Sequence, residues 1–203
     1  MKVKQVFSVD GGEEDTRLGR FKHCPFCGSR MSLKDTGDRQ RPSCSCCGFV
    51  QYRNPLPGVV VVIEKDGHVL LGKRSGGFGE GKWGLPQGYI EFDEDFLTAA
   101  IREVKEETGL DVEIRSILNV VSNRLSPGLH TLAIILLAAV TAGDARAGDD
   151  LETLRWVPLS GPLPEMAFEA DERIIHRVRM TKLSGGLPVD PDFARRGILQ
   201  CGG

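Results

Sequence analysis

The chain has 203 residues, enough for one domain of about 150 residues and a small additional module. Apolar residues make up 40% of the chain and charged residues 27%, which excludes a fibrous or largely disordered protein. The net charge of −2 lacks the basic excess of a typical nucleic-acid-binding protein. The longest apolar run, residues 132–140, is too short to span a membrane, and residues 1–20 lack the apolar core of a secretory signal. We therefore expect a cytoplasmic protein without a membrane partner.

After an N-terminal segment expected to be flexible, residues 1–20, five of the six cysteines fall between residues 21 and 50. Four of them follow the spacing C-x2-C-x16-C-x2-C, which is typical of a zinc ribbon: Cys24, Cys27, Cys44 and Cys47. Disulfides are disfavoured because nothing indicates secretion. A closed set of four thiolates is a structural site. The pattern predicts structural Zn²⁺ in a ribbon at residues 21–52, with the roles of Cys46 and Cys201 left open.

The remaining chain alternates strand and helix patterns. Residues 52–58 form a linker rich in proline and glycine. Strands are predicted at 59–63, 68–71, 83–85, 89–91, 112–122, 131–141 and 153–158, with one helix before residue 109 and another at 168–180. Strands interrupted by helices predict an α/β fold with a mixed sheet. This larger domain is expected at 53–183, followed by a loose tail at 184–203.

The first helix carries an unusual group of acids. Asp93 and Asp95 offer N-terminal caps, and Gly109 offers a left-handed C-terminus. Glu103 and Glu107 are i,i+4 neighbours with Glu106 beside them, and like charges at that spacing repel by roughly 0.2–0.5 kcal/mol per pair. A hard divalent cation such as Mg²⁺ would replace this repulsion by coordination and could bridge to phosphate oxygens. The helix alone therefore indicates a metal-assisted phosphate site.

Residues 88–110 match the pattern G-x5-E-x7-R-E-U-x-E-E-x-G-U, where U is a bulky aliphatic residue. Nine fixed positions agree: Gly88, Glu94, Arg102, Glu103, Val104, Glu106, Glu107, Gly109 and Leu110. This stretch resembles the signature box of the Nudix hydrolases. The resemblance implies an α/β/α sandwich with a mixed sheet and hydrolysis of a nucleoside diphosphate linked to another moiety.

The resemblance also implies roles for residues in the box. Glu103 and Glu107 would be the main ligands of Mg²⁺ or Mn²⁺, with Glu106 as a further or water-mediated ligand and the Gly88 carbonyl beside them. Arg102 and Glu94 would hold the loop and helix together. The general base would be Glu103 or an acid from a later loop. The catalytic set is thus Glu103, Glu106, Glu107 and Arg102.

Residues outside the box are candidates on weaker grounds. In zinc-ribbon relatives an acid six residues before a tryptophan completes the metal site, and Asp150 stands six residues before Trp156. Arg74 is a candidate bidentate phosphate donor. Glu91 is a candidate substrate contact by resemblance, and Trp83 is a candidate stacking residue. A solvated loop or surface role for the charged residues, and core packing for Trp83, remain the alternatives.

The ribbon followed by Tyr52-Arg53-Asn54-Pro55 resembles the zinc-ribbon branch that includes the NADH pyrophosphatases. The Ser-Gln-Pro-Trp-Pro-Phe-Pro run of those enzymes is absent after this box. We therefore expect ADP-ribose, NAD(H) or a related dinucleotide as substrate. The alternative is a non-catalytic ligand sensor whose ribbon binds nucleic acid or protein. Nucleic acid is disfavoured because Asp35 and Asp38 dilute the basic ribbon, and a homodimer is left open.

Overall fold

The computed structural model describes residues 4–8, 21–37, 39–126, 128–181 and 186–188, and their contacts divide them between two compact units. Most of the larger unit lies in residues 56–123 and 131–181. The smaller unit includes residues 21–55 and 124–130. None of the helices in these described stretches is both long and apolar enough to cross a membrane.

The described residues form eleven strands and two helices. In chain order these are β1 (Val6–Ser8), β2 (Met31–Asp35), β3 (Gln40–Cys44), β4 (Leu56–Lys65), β5 (His68–Arg74), β6 (Trp83–Gly84), β7 (Gln87–Tyr89), α1 (Phe96–Thr108), β8 (Asp111–Ser126), β9 (Leu129–Ala142), β10 (Leu151–Pro158), α2 (Glu169–Thr181) and β11 (Leu187–Pro188).

The main sheet is mixed, as the sequence predicts. Its strand order is β1-β8-β9-β4-β5-β10, with β7 beside β4, β6 beside β5 and β11 beside β8. Strand β4 pairs in parallel with β9 and antiparallel with β5. The β4–β5 turn places both Asp66 and Gly67 at positive φ, 51° and 74°, which is the backbone of a two-residue hairpin turn.

Strand β4 separates two apolar layers because its side chains alternate between the faces of the sheet. Val60 and Val62 pack in the cluster that contains Ile174 and Val178 of α2. Alternate residues pack in a second cluster with α1, namely Val59, Val61 and Ile63 with Leu97, Ala100 and Val104. The sheet is therefore covered by one helix on each face, which confirms the α/β/α sandwich.

Helix α1 begins and ends where its capping residues predict. The Asp95 carboxylate accepts hydrogen bonds from the backbone N–H of Leu97 at 2.8 Å and Thr98 at 3.0 Å. Gly109 has φ 71° and ψ −3°, and its N–H donates to the Lys105 carbonyl at 2.9 Å. These caps fix the ends of the helix that presents the acidic side chains.

Helix α2 buries an acidic side chain, that of Asp171, on the face of the sheet where Val60 and Val62 pack, which we call the first apolar cluster. Asp171 is 2% exposed, and its Oδ2 accepts a hydrogen bond from the backbone N–H of Leu85 at 3.0 Å. Burial raises the pKa of Asp171 to about 7, against the opposing effects of the Leu85 hydrogen bond and the charge of Arg74. Asp171 thus anchors the chain shortly before the acidic box, at a cost in desolvation.

Several boundaries differ from the sequence prediction. The segment at 1–20, predicted to be flexible, contains β1, which lies beside β8 and buries Phe7 to 5% exposure. The predicted loose tail contains β11, which also pairs with β8. These strands of three and two residues are too short to show a periodic pattern in the sequence. The other residues of both segments lie outside the described part of the chain, apart from residues 4, 5 and 186.

The smaller unit contains the hairpin β2–β3, which runs in register from Met31 opposite Cys44 to Asp35 opposite Gln40. Its buried apolar cluster consists of Cys24, Met31 and Cys44, with Phe49 packed against them. So small a core supplies little hydrophobic stabilisation, and units of this size usually need a disulfide or a structural metal ion to fold.

We expect Asp95→Ala to lower the free energy of unfolding by about 1 kcal/mol, because two backbone N–H groups of α1 lose their acceptor. Urea denaturation measures the change. Asp93→Ala is the matched control, since Asp93 is exposed and lies outside the cap. Equal losses in the two variants would contradict the capping role of Asp95.

We expect Asp171→Asn to remove a pH dependence of stability, because asparagine keeps an oxygen acceptor for Leu85 without a charge. The pKa of Asp171 is about 7 in the folded state and near 3.8 in the unfolded state. The stabilisation of the folded protein that comes from protonated Asp171 is therefore complete below pH ~4 and is lost as pH rises toward 7. Each unit of pKa shift corresponds to about 1.4 kcal/mol. Unfolding curves from pH 4 to 8 should converge at low pH and favour the variant at high pH. Parallel curves would refute this account; Glu172→Gln, an exposed neighbour, is the control.

Candidate active site

Arg102 joins the loop before α1 to the acids of the helix. Its guanidinium donates to both carboxylate oxygens of Glu94, at 3.0 and 2.5 Å, and to the Tyr89 carbonyl at 3.1 Å. Its Nη1 donates to Glu103 Oε1 at 2.8 Å and to Glu106 Oε2 at 2.9 Å. Hydrogen bonds from Arg102 lower the pKa of Glu94. The Arg102 guanidinium therefore offsets much of the repulsion among the carboxylates of Glu94, Glu103 and Glu106.

Glu103 lies against the backbone of β7. The residue is 8% exposed, and its carboxylate occupies the space that a Cβ at position 88 would fill. Burial raises the pKa of Glu103; Arg102 opposes this shift, whereas the charges of Glu106 and Asp149 reinforce it. Gly88 is therefore required by the close approach of a carboxylate to the strand.

Glu107 is the most deeply buried acid of the site. It is 2% exposed, and the backbone N–H of Gln87 donates to its Oε2 at 2.9 Å. Burial raises the pKa of Glu107 to about 9 against that hydrogen bond, and a hydrogen-bonding contact with Asp150 and the charges of Asp150 and Glu103 raise it further. Carboxylates held together in a low-dielectric setting suit a divalent cation, which would favour their ionised forms.

The loop between β9 and β10, residues 143–150, closes over the C-terminal end of α1. The N–H of Arg146 donates to the Thr108 carbonyl at 2.9 Å, and the N–H of Gly148 donates to the Glu107 carbonyl at 3.0 Å. A Cβ at Gly148 would overlap the Glu106 carbonyl oxygen. The loop thus satisfies carbonyls that a helix end leaves unpaired, and this contact brings residues 149 and 150 to the acids of α1.

Asp150 is held at both its main chain and its side chain. Its carbonyl accepts hydrogen bonds from Ser75 N–H at 2.8 Å and Ser75 Oγ at 2.7 Å. Its Oδ2 accepts from Arg74 Nη2 at 3.1 Å. The structure therefore brings Asp150 together with Glu107 from a segment more than forty residues away in the chain.

For two residues predicted to bind substrate, Trp83 and Glu91, the structure shows contacts within the protein. Trp83 is 8% exposed and packs in the first apolar cluster, with the guanidinium carbon of Arg155 4.4 Å from its ring centroid. This placement favours core packing over stacking on a base. Glu91 is exposed, and its backbone N–H donates to Glu94 Oε1 at 3.0 Å. Its described contact thus supports the loop.

Three features of the site lacked a clear sequence signal. Asp149 lies at positive φ, 48°, and contributes charge to the surroundings of Glu103. Asp171 is an acid in an ordinary amphipathic helix. Phe78 and Phe168 stack with ring centroids 5.3 Å apart beside Arg74, although 90 residues separate them. Only the left-handed Asp149 has a usable hint, because aspartate tolerates that backbone better than most residues.

The four ribbon cysteines form a second candidate metal centre, in the smaller unit. Their sulfur atoms all lie within 4.8 Å of one another, and Cys24–Cys47 and Cys27–Cys44 are each 3.5 Å apart. The N–H of Gly28 donates to the Cys24 carbonyl at 2.9 Å, and that of Gly48 donates to the Cys44 carbonyl at 3.1 Å. The cysteines carry no disulfide, and four converging sulfurs fit tetrahedral zinc.

The two centres differ in donor chemistry. The acidic site offers carboxylate oxygens, which suit Mg²⁺ or Mn²⁺, and the ribbon offers thiolates, which suit Zn²⁺. Among the described residues, the acids form no group of three with ligand atoms as close together as those of the four cysteines. The ligand atoms of the acidic site are therefore spaced more widely than the four sulfur atoms of the ribbon.

Comparison with known proteins places residues 54–178 in the NUDIX domain family. The ADP-ribose pyrophosphatase of Methanocaldococcus jannaschii is 38% identical over 125 residues, which cover 61% of this chain and 73% of that protein. The NAD-capped RNA hydrolase NudC of Pseudomonas aeruginosa is 30% identical over 177 residues, covering 86% of this chain. The chain spans 61% of the length of that relative.

Solved structures show the same fold. A NUDIX hydrolase from Nitrosomonas europaea superposes with a TM-score of 0.70 at 28% identity, over 83% of this chain and 96% of that one. A MutT NUDIX hydrolase from Burkholderia pseudomallei gives a TM-score of 0.58 at 32% identity, over 62% of this chain and 99% of that one. With the domain match covering more than half of its residues, the chain belongs to the Nudix hydrolase family.

Proposed function

We propose that this protein hydrolyses the diphosphate linkage of a nucleoside diphosphate derivative with Mg²⁺ or Mn²⁺. The observation that supports this most strongly is the burial of Glu107 beside Asp150 and Glu103, which raises the pKa of Glu107 to about 9. A bound divalent cation would offset the desolvation and mutual repulsion of these buried acids, which otherwise destabilise the fold.

Within this proposal, Glu103, Glu107 and Asp150 hold the cation, with Glu106 and the Gly88 carbonyl contributing directly or through water. When bound, the cation supplies Lewis-acid stabilisation of a phosphoryl oxygen and lowers the pKa of a coordinated water. Arg102 keeps Glu103 and Glu106 on the loop side of α1. Glu103 and the later-loop acid Asp149 are the two candidates for the general base.

The substrate class that we propose is ADP-ribose, NAD(H) or a related dinucleotide. The relatives named for ADP-ribose and for NAD-capped RNA both act on compounds with a diphosphate attached to a nucleoside. The run Ser-Gln-Pro-Trp-Pro-Phe-Pro is absent from this chain, so we propose ADP-ribose or another nucleoside diphosphate derivative on at least an equal footing with NADH.

We expect Glu107→Gln to lower kcat/KM by more than about 100-fold, because even residues that only support metal ligands cost 10–100-fold when changed. The wild type and the variant are each incubated in the presence of Mg²⁺ with one candidate substrate at a time: ADP-ribose, NADH, NAD, FAD, dinucleoside polyphosphates or nucleoside triphosphates. Mass spectrometry identifies the products and hence the substrate.

Glu113→Gln is the control for that experiment, since Glu113 lies on β8 in an exposed ion pair with Arg115. It should retain wild-type activity. Absence of turnover by the wild type with either Mg²⁺ or Mn²⁺ would overturn the hydrolase proposal and favour the ligand sensor.

We also propose that the ribbon holds one structural Zn²⁺ through Cys24, Cys27, Cys44 and Cys47. A site built of zinc-bound thiolates fits a reducing compartment, and the cytoplasm is the location that we propose. With so few buried apolar residues, zinc would supply much of the folding free energy of the smaller unit.

We expect about one zinc ion per chain by elemental analysis, lost in Cys44→Ser because the 1%-exposed Cys44 belongs to the four-sulfur cluster. Cys46→Ser is the matched control: Cys46 is exposed, adjacent in sequence to Cys47 and outside the cluster. Equal zinc loss in both variants would contradict the assigned ligand set.

A further inference from the structure

Arg74 stands at the end of β5, and its side chain is largely enclosed by protein. The side chain is 14% exposed. Nε donates to the Phe78 carbonyl at 2.9 Å, and Nη2 donates to Asp150 Oδ2 at 3.1 Å. The guanidinium carbon lies 5.7 Å from the Phe168 ring centroid. The Nε and Nη2 groups of the guanidinium therefore already bind other groups of the chain.

The backbone of Arg74 is fixed as firmly as its side chain. Its N–H donates to the Lys82 carbonyl at 2.9 Å, and its carbonyl accepts from Gly81 N–H at 3.0 Å. Arg74 also lies opposite Leu151, the residue after Asp150, in the β5–β10 pairing. The guanidinium therefore starts from a rigid strand end, directly across the sheet from the acid that it contacts.

The main chain of Asp150 is fixed by Ser75, but those hydrogen bonds leave its carboxylate free to rotate. The carboxylate of Glu107 is close enough to interact with that of Asp150, and two negative charges would repel. Arg74 supplies the positive charge that offsets this repulsion. A guanidinium bound to one carboxylate oxygen leaves the other available as a ligand.

We propose that Arg74 is a positioning residue that orients the Asp150 carboxylate beside Glu107 for divalent-metal binding. This inference rests on the proposed function, and it gives Arg74 a role different from the sequence-based expectation that Arg74 donates to a substrate phosphate. Nε and Nη2, which form one of the two bidentate edges of the guanidinium, already bind Phe78 and Asp150.

The test is a Mn²⁺ titration followed by electron paramagnetic resonance, with no nucleotide present. Arg74→Gln is expected to weaken Mn²⁺ binding by about 10–100-fold, the usual effect of removing a partner that orients a metal ligand. Asp150→Asn should weaken binding at least as much. The double variant should bind no more weakly than Asp150→Asn, because the two residues act through one carboxylate.

Lys73→Gln is the matched control, since the neighbouring Lys73 forms a partly exposed ion pair with Glu152, and it should bind Mn²⁺ as the wild type does. Arg74→Lys keeps the charge, and we expect it to recover part of the lost affinity. This variant decides the matter if circular dichroism shows that Arg74→Gln is unfolded.

The outcomes separate this inference from the proposed function. Wild-type Mn²⁺ affinity in Arg74→Gln, with a raised KM for the nucleotide, would make Arg74 a substrate residue and overturn the inference alone. Additive losses in the double variant would also overturn it. Failure of the wild type to bind Mn²⁺ would overturn the proposed function and the inference together.

Discussion

The burial of Glu103 and Glu107 against the sheet is the constraint on which the site depends. Both desolvation and the helix dipole disfavour buried carboxylates at the C-terminal end of a helix. The fold offsets this cost locally, with Arg102 bonded to Glu103 and the Gln87 N–H bonded to Glu107. The site is thus held by surrounding structure in an arrangement that the helix alone would resist.

The same constraint explains why the site draws on several segments of the chain. Helix α1 provides the acids, β7 provides a strand edge without a side chain at Gly88, and the loop before β10 provides Asp150. Asp171 on α2 holds the Leu85 N–H just before that strand edge. Residues from both faces of the sandwich therefore support the site, although most of its acidic residues belong to the single helix α1.

The sequence predicted the fold well where its signals were local. The acidic box, the caps of α1, the continuous apolar run of β4 and the four-cysteine spacing each depend on residues close together in the chain. Strands β1 and β11 could not be predicted, because they are too short to show a pattern and pair with the distant strand β8. The partners of Arg74 could not be predicted, because Asp150 lies 76 residues away and Phe168 lies 94 away.

The hydrogen bonds from Arg146 and Gly148 to the end of α1 have a dynamic consequence. Opening of the whole loop at residues 143–150, with release of Asp150 from Ser75 and Arg74, would expose the last helix carbonyls and withdraw Asp150 from Glu107. Fraying of the helix end and loss of the complete acid set are therefore one local unfolding reaction. The amide-exchange rates of these residues would then report the fraction of molecules whose site is assembled.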